Sequence, residues 1–136
     1  MPSGYSGTPL AKKLGIKGGH QVAVVDGPDE FPELLDDLPE GVAFTDSIGE
    51  SPDVVVGFFT DASALAGRLD SLADAVFPDR TLWIAWPKKA SGMQTDVGEA
   101  LVREYGLAQG LVDNKICAVD ETWSGLRFVI RLRDRG

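Results

Sequence analysis

Two short stretches of the chain bring together residue types that can do chemistry. Pro87-Lys88-Lys89-Ala90-Ser91-Gly92 offers two ammonium groups, a hydroxyl and a flexible glycine, a set able to grip a phosphate or a carboxylate. Asp120-Glu121-Thr122-Trp123-Ser124-Gly125 offers an acid pair, two hydroxyls and an indole. Acid–base work by Asp120 and Glu121 is weakened by adjacency, because neighbouring residues on a strand point to opposite faces. Lys88 and Lys89 lack the Gly-x-x-x-x-Gly-Lys-Ser/Thr spacing of a phosphate-binding loop. An alternative role for both lysines is to pair with acids such as Asp120 and Glu121. Trp86 and Trp123 suit stacking on a planar ligand or packing over the edge of a hairpin. Thr122 to Gly125 read equally well as a turn whose glycine supplies a positive φ.

The elements that must position these groups follow from the apolar pattern. Pro9 suits a first helical position, Thr8 can cap it and Gly15 can end it. Gln21–Val25, Val42–Thr45, Asp53–Phe59 and Thr81–Trp86 are strands, and the first, third and fourth are apolar on both faces, as buried parallel strands are. Phe31, Leu34, Leu35 and Leu38 keep helical spacing, and so do Leu65, Leu69, Leu72 and Val76 ahead of Pro78. Val97, Leu101 and Tyr105 mark a further helix ending at Gly106. Lys115–Val119 and Leu126–Leu132 are final strands, too close together for a crossover helix and therefore antiparallel.

The expectation is a single domain over residues 1–136: α/β, doubly wound, a mostly parallel sheet of about six strands, helices on both faces and a C-terminal antiparallel strand. In such sheets ligands lie beyond the C-terminal ends of the parallel strands. That edge collects Asp26, Gly27, Thr60, Asp61, Trp86, Lys88, Lys89, Asp120 and Glu121. His20 falls at the opposite edge, with no nucleophile or carboxylate beside it, and Cys117 reads as a small strand hydrophobe.

Composition narrows the function. With 13 Lys+Arg against 21 Asp+Glu the formal net charge is −8, which disfavours a phosphate-coating nucleic-acid binder. One Cys and one His exclude a Cys/His zinc finger and a disulfide framework, so no metal site is expected. No apolar run approaches a membrane span and the N-terminus has no hydrophobic leader core, so a cytoplasmic protein is expected. Asp26 to Asp53 holds acids and no Lys or Arg, which makes it a solvated acidic face or a docking surface for a basic partner.

The strand order, and the lead-in Leu14-Gly15-Ile16-Lys17-Gly18-Gly19-His20-Gln21-Val22-Ala23-Val24-Val25-Asp26, resemble the core of the S-adenosylmethionine-dependent methyltransferases. The chain is also similar to a bacterial family of small proteins of unknown function. Tyr5–Ile16, Trp86–Gly92, Gly110–Lys115 and Asp120–Phe128 carry that likeness, which implies a fold and no activity.

The first resemblance implies a glycine-rich turn after the first strand, where backbone approaches the cofactor without Cβ clashes. Here the turn is Asp26-Gly27-Pro28-Asp29-Glu30, with one glycine and then a proline that removes a donor. The segment between the second and third strands is too short for the usual extra strand–helix unit. Asp46, after the second strand, remains placed to take ribose hydroxyls, with Asp26 and Gly27 as its cofactor-binding companions. The expectation is therefore no cofactor and no catalysis: a binding module taking a protein partner or small anionic ligand through Lys88, Lys89, Ser91, Asp120, Glu121, Thr122, Trp123 and Ser124. The alternatives are a small S-adenosylmethionine-binding protein or methyltransferase with a degenerate cofactor loop, a hydrolase-like enzyme centred on Lys88, Lys89, Asp120 and Glu121, or a structural subunit.

Overall fold

A computed structural model describes residues 9–29, 31–35, 38–49 and 51–131. The elements run α1 (Leu10–Lys13), β1 (Gln21–Val25), a 3₁₀ turn (Phe31–Leu34), β2 (Ala43–Thr45), β3 (Val54–Phe58), α2 (Ala62–Val76), β4 (Thr81–Pro87), a second 3₁₀ turn (Lys89–Ser91), α3 (Glu99–Ala108), β5 (Leu111–Ala118) and β6 (Trp123–Ile130). The six strands form one sheet in the order β2-β1-β3-β4-β6-β5. β2, β1, β3 and β4 pair in parallel, and β6 runs antiparallel to both β4 and β5. The fold is the expected α/β architecture with antiparallel C-terminal strands.

Two apolar cores sit on the two faces of the sheet. On one face α2 and α3 cover Ala23, Val25, Val55, Leu82, Ile84 and Phe128. On the other, α1 and the first 3₁₀ turn cover Val22, Val54, Val56, Phe58, Trp83 and Ala85. Strand alternation deals each strand's residues to both cores, which is why β3 is buried at all five positions. Trp83 is wholly buried, and its indole N–H donates to the Leu14 carbonyl at 2.9 Å, so the one polar atom of the ring is satisfied. Gly15, at φ 81°, turns the chain out of α1 immediately afterwards.

Several boundaries differ from the sequence expectation. After β1 the described residues form a 3₁₀ turn over Phe31–Leu34 where helical spacing is expected. β5 begins at Leu111 rather than Lys115, with a register irregularity between Asp113 and Lys115 that absorbs the polar residues there. β6 begins at Trp123, so Trp123, Ser124 and Gly125 are strand residues and Gly125 is not a positive-φ turn glycine. Gly125 is instead needed for closeness: a Cβ there would sit 3.2 Å from the Trp83 ring. α2 keeps its expected stripe, with Leu65, Leu69, Leu72 and Val76 buried. Thr8, Glu30, Asp36, Asp37, Glu50, Leu132, Arg133, Asp134 and Arg135 lie outside the described residues.

Candidate functional site at the strand C-termini

The chain leaves β1 towards β2 on one side and β3 towards β4 on the other, so the topological switch point lies between β1 and β3. In open α/β sheets ligands lie at such a switch point, beyond the C-terminal ends of the strands. Asp26 follows β1 in a left-handed conformation (φ 55°) that a side chain adopts only where surrounding structure holds it, and its carboxylate is exposed. Asp46 follows Thr45, the residue that registers with Ala23 of β1, and is likewise exposed. Thr60 and Asp61 follow β3.

Gly27 explains the tightness of the first turn. A Cβ there would lie 2.5 Å from Val24 Cγ1 and 3.0 Å from the Phe58 ring. The glycine therefore serves the packing of the turn onto β3. Phe58 is in turn wedged edge-to-face between Phe31 (5.1 Å between centroids) and Trp123 (5.0 Å). This aromatic row belongs to the core on the α1 side, with Phe31 and Phe58 buried, and packs the turn after β1 against β3 and β6.

An open cavity of about 520 Å³ adjoins the end of β3, lined by Thr60, Asp61, Met93, Gln94, Thr95 and Asp96. Its wall is the segment following the second 3₁₀ turn, pinned to the start of α2. The Thr95 hydroxyl donates to the Thr60 carbonyl (2.7 Å), and the Asp96 carboxylate accepts from the Ala62 amide (2.7 Å). Sequence reasoning named Thr60 and Asp61 but not Thr95 or Asp96, whose role depends on contacts across more than thirty residues.

The Lys88–Gly92 and Asp120–Ser124 stretches meet, but largely to build each other. The Lys88 ammonium donates to the Asp120 main-chain carbonyl (2.7 Å) rather than to a carboxylate, and the Lys88 amide donates to the Thr122 carbonyl. The Asp120 carboxylate accepts from the Thr122 and Trp123 amides, both at 2.8 Å, closing the β5–β6 turn. Ser91 donates to the Lys88 carbonyl and accepts from the Met93 amide, which shapes the second 3₁₀ turn. Lys89 and Glu121 are exposed beside these turns, and Ser124 is half-buried in β6 opposite Trp86. Trp86 belongs to the α2–α3 core and Trp123 to the α1 side, so the two indoles lie on opposite faces and cannot clamp one ligand.

Elsewhere, His20 Nδ1 accepts from the Lys17 amide at the N-terminal edge. Cys117 is half-buried, and burial pushes its thiol up despite the opposing influence of Lys13, Lys115 and Lys88. Arg103 bridges Glu99 and Asp113, both at 2.9 Å, and the two carboxylates hold its guanidinium pKa up. Among the described residues no group of three His, Cys, Asp or Glu is arranged to hold a metal ion, and no helix is long and apolar enough to cross a membrane.

Solved structures share this architecture. The chain is similar to an S-adenosylmethionine-dependent methyltransferase from Aquifex aeolicus (17% identity, TM-score 0.60, 89% of this chain and 88% of that one). It is also similar to the magnesium protoporphyrin IX methyltransferase of Synechocystis PCC 6803 with bound S-adenosylmethionine (12% identity, TM-score 0.57, 89% and 74%). A third is the ribosomal protein L11 methylase of Lactobacillus delbrueckii subsp. bulgaricus (12% identity, TM-score 0.53, 90% and 75%). No protein-family model matches the chain, so the likeness to the small bacterial family gains no support, and no curated protein matches it. The scaffold is methyltransferase-like. The expectation of no cofactor is corrected here: it rested on the Gly27-Pro28 turn and the short connection between the second and third strands, whereas the Synechocystis enzyme, of the same fold, was solved both with S-adenosylmethionine and with S-adenosylhomocysteine bound.

Proposed function

We propose that this chain binds S-adenosylmethionine at the C-terminal ends of β1, β2 and β3, as a small protein on a methyltransferase-like scaffold. The observation that carries the reading is the switch point between β1 and β3, with exposed Asp26 at the β1 end beside it and exposed Asp46 one strand further out, after β2. The ligand has a sulfonium and an ammonium against one carboxylate, a net positive charge that suits an acidic rim. Asp46 would accept from the ribose hydroxyls, the role an acid after the second strand has in dinucleotide folds. Asp26 and Asp61 would face the cationic end. When bound, the group would supply an electrophilic methyl carbon; the chain's own residues would bind and orient it, on strand ends that the Phe31–Phe58–Trp123 row, its phenylalanines buried, holds in place.

The donor set also sets the strength. Gly27 is the one glycine of the turn and Pro28 has no N–H, so few backbone amides reach a ligand carboxylate. Affinity then rests on side-chain carboxylates and is modest, about 10–100 µM or near −6 kcal/mol.

Isothermal titration with S-adenosylmethionine, S-adenosylhomocysteine and adenosine tests this. Asp46→Asn removes a charge-assisted acceptor and should weaken binding about tenfold or more, while Glu121→Gln leaves it unchanged. Heat-silent titrations for all three ligands at millimolar concentration, or equal affinity in Asp46→Asn, would refute the reading.

A further inference from the structure

The two faces of the sheet are covered unequally. Two helices, α2 and α3, lie over one face, while the other has the four residues of α1 and the first 3₁₀ turn. Where α1 touches β4, at Trp83 and Leu14, the sheet is closed. Beyond it, β6 and β5 turn Val112, Val129 and Cys117 to this side only half-buried, with Lys115 exposed.

Among the described residues, the charged side chains that β5 and β6 turn to this face are Lys115 and Arg127. Lys115 registers directly opposite Arg127, a like-charged cross-strand pair that costs stability unless something anionic sits over it. The Lys115 ammonium reaches a main-chain carbonyl, that of Lys13 (3.4 Å), and one Arg127 nitrogen reaches the Thr81 hydroxyl (3.3 Å). Arg127 Nε is buried with no hydrogen-bond partner among the described residues. Lys12 is exposed on α1 nearby, and Leu10 to Val25 contains no Asp or Glu. Lys13, Lys88 and Lys115 are all close enough to act electrostatically on Cys117. In a chain of net charge −8 this concentration of cations on one sheet face is marked.

The complement is on the far edge of the same sheet. Besides Asp26 and Asp46 of the proposed ligand site, the β1–β2 connection exposes Asp29, Glu33 and Glu40, and no Lys or Arg occurs between Asp26 and Asp53. Sheet order puts β2 at one margin and β5 at the other, so each molecule presents an acidic end and a basic, partly apolar face. Edge-to-edge strand pairing through β5 is disfavoured by its irregularity at Asp113–Lys115, which leaves the face rather than the edge for contact.

We propose that a second copy of this chain docks its acidic β1–β2 edge on the β5–β6 face, head to tail. Such a contact is heterologous: each copy in a pair keeps one unused face, so assembly closes into a ring or extends. Being built on exposed charge, it weakens as salt shortens the screening distance from about 20 Å in 20 mM salt to about 4 Å in 500 mM salt.

Sedimentation velocity of the full chain at those two salt concentrations tests this. The expected result is concentration-dependent association at low salt and a monomer at high salt. Lys12→Gln with Lys115→Gln disables the basic face, and Glu33→Gln with Glu40→Gln disables the acidic edge; all four positions are exposed, and circular dichroism checks the fold. Each double variant alone should be monomeric at low salt. Their equimolar mixture should form a one-to-one dimer and nothing larger, because one competent contact remains. A wild-type monomer at low salt, association that survives high salt, or a mixture that stays monomeric would overturn the proposal. Should either variant fail to fold, the wild-type salt series decides alone.

Discussion

The Asp96 carboxylate accepts the amide of Ala62 at 2.7 Å, so α2 is capped by a residue thirty-four positions away. Asp61, which occupies the N-cap position, makes no capping hydrogen bond of its own. The interaction fastens the wall of the cavity beside β3 to the helix that begins there, with Thr95 and Thr60 as a second fastening. Asp96→Ala should therefore cost about 1 kcal/mol of stability, a fall of about 3–6 °C in Tm, and Asp61→Ala less than about half as much. Paired thermal melts decide; equal losses would mean that the sequence-adjacent Asp61 does the capping.

Two glycines predict opposite responses to the same substitution. At Gly27 an added Cβ meets Val24 and Phe58, so Gly27→Ala should destabilise by about 1–3 kcal/mol through overpacking. At Gly67, inside α2 and exposed, nothing lies within 4 Å, so Gly67→Ala should stabilise by about 0.5–1 kcal/mol. Urea titrations of both variants with unchanged m-values are the check. A neutral Gly27→Ala would show that the turn is not pressed onto β3.

Cys117 gives a pH signature. Burial raises its thiol pKa above the ordinary cysteine value, more than Lys13, Lys115 and Lys88 lower it. The folded chain thus holds this proton more firmly than the unfolded chain. The linked stability is complete below the ordinary thiol value and is lost as pH rises through the folded value. Alkylation at pH 8 should be slower in native protein than in urea, and Cys117→Ala should flatten the alkaline fall in stability. Equal labelling rates would place the thiol in solvent.

Much of the fold was legible because buried parallel strands advertise themselves. Val22–Val25, Val54–Phe58 and Leu82–Trp86 are apolar on both faces, and Leu65, Leu69, Leu72 and Val76 lie on one helical stripe. The short gap before β6 required an antiparallel return. What was not legible depended on partners distant in sequence. The start of β5, Leu111 to Asn114, gives no strand signal because polar Asp113 and Asn114 hide a strand held by Arg103 and a register irregularity. Lys88 and Asp120 looked like charged groups awaiting a ligand, yet one donates to a main-chain carbonyl and the other accepts two turn amides. The cavity wall at Thr95 and Asp96 gave no local pattern. The Gly27-Pro28 turn and the short β2–β3 connection point away from a cofactor when read locally, while Asp46 after β2 points towards one, and local sequence does not decide between them.

The most direct test of the switch-point reading is a ¹H–¹⁵N correlation spectrum of the wild-type chain titrated with S-adenosylmethionine. The account predicts saturable shifts confined to amides around Asp26, Gly27, Asp46, Thr60 and Asp61, with the β5–β6 turn at Asp120 and Glu121 unmoved. An unchanged spectrum, or shifts centred on Lys88, Lys89 and the β5–β6 turn, would contradict it.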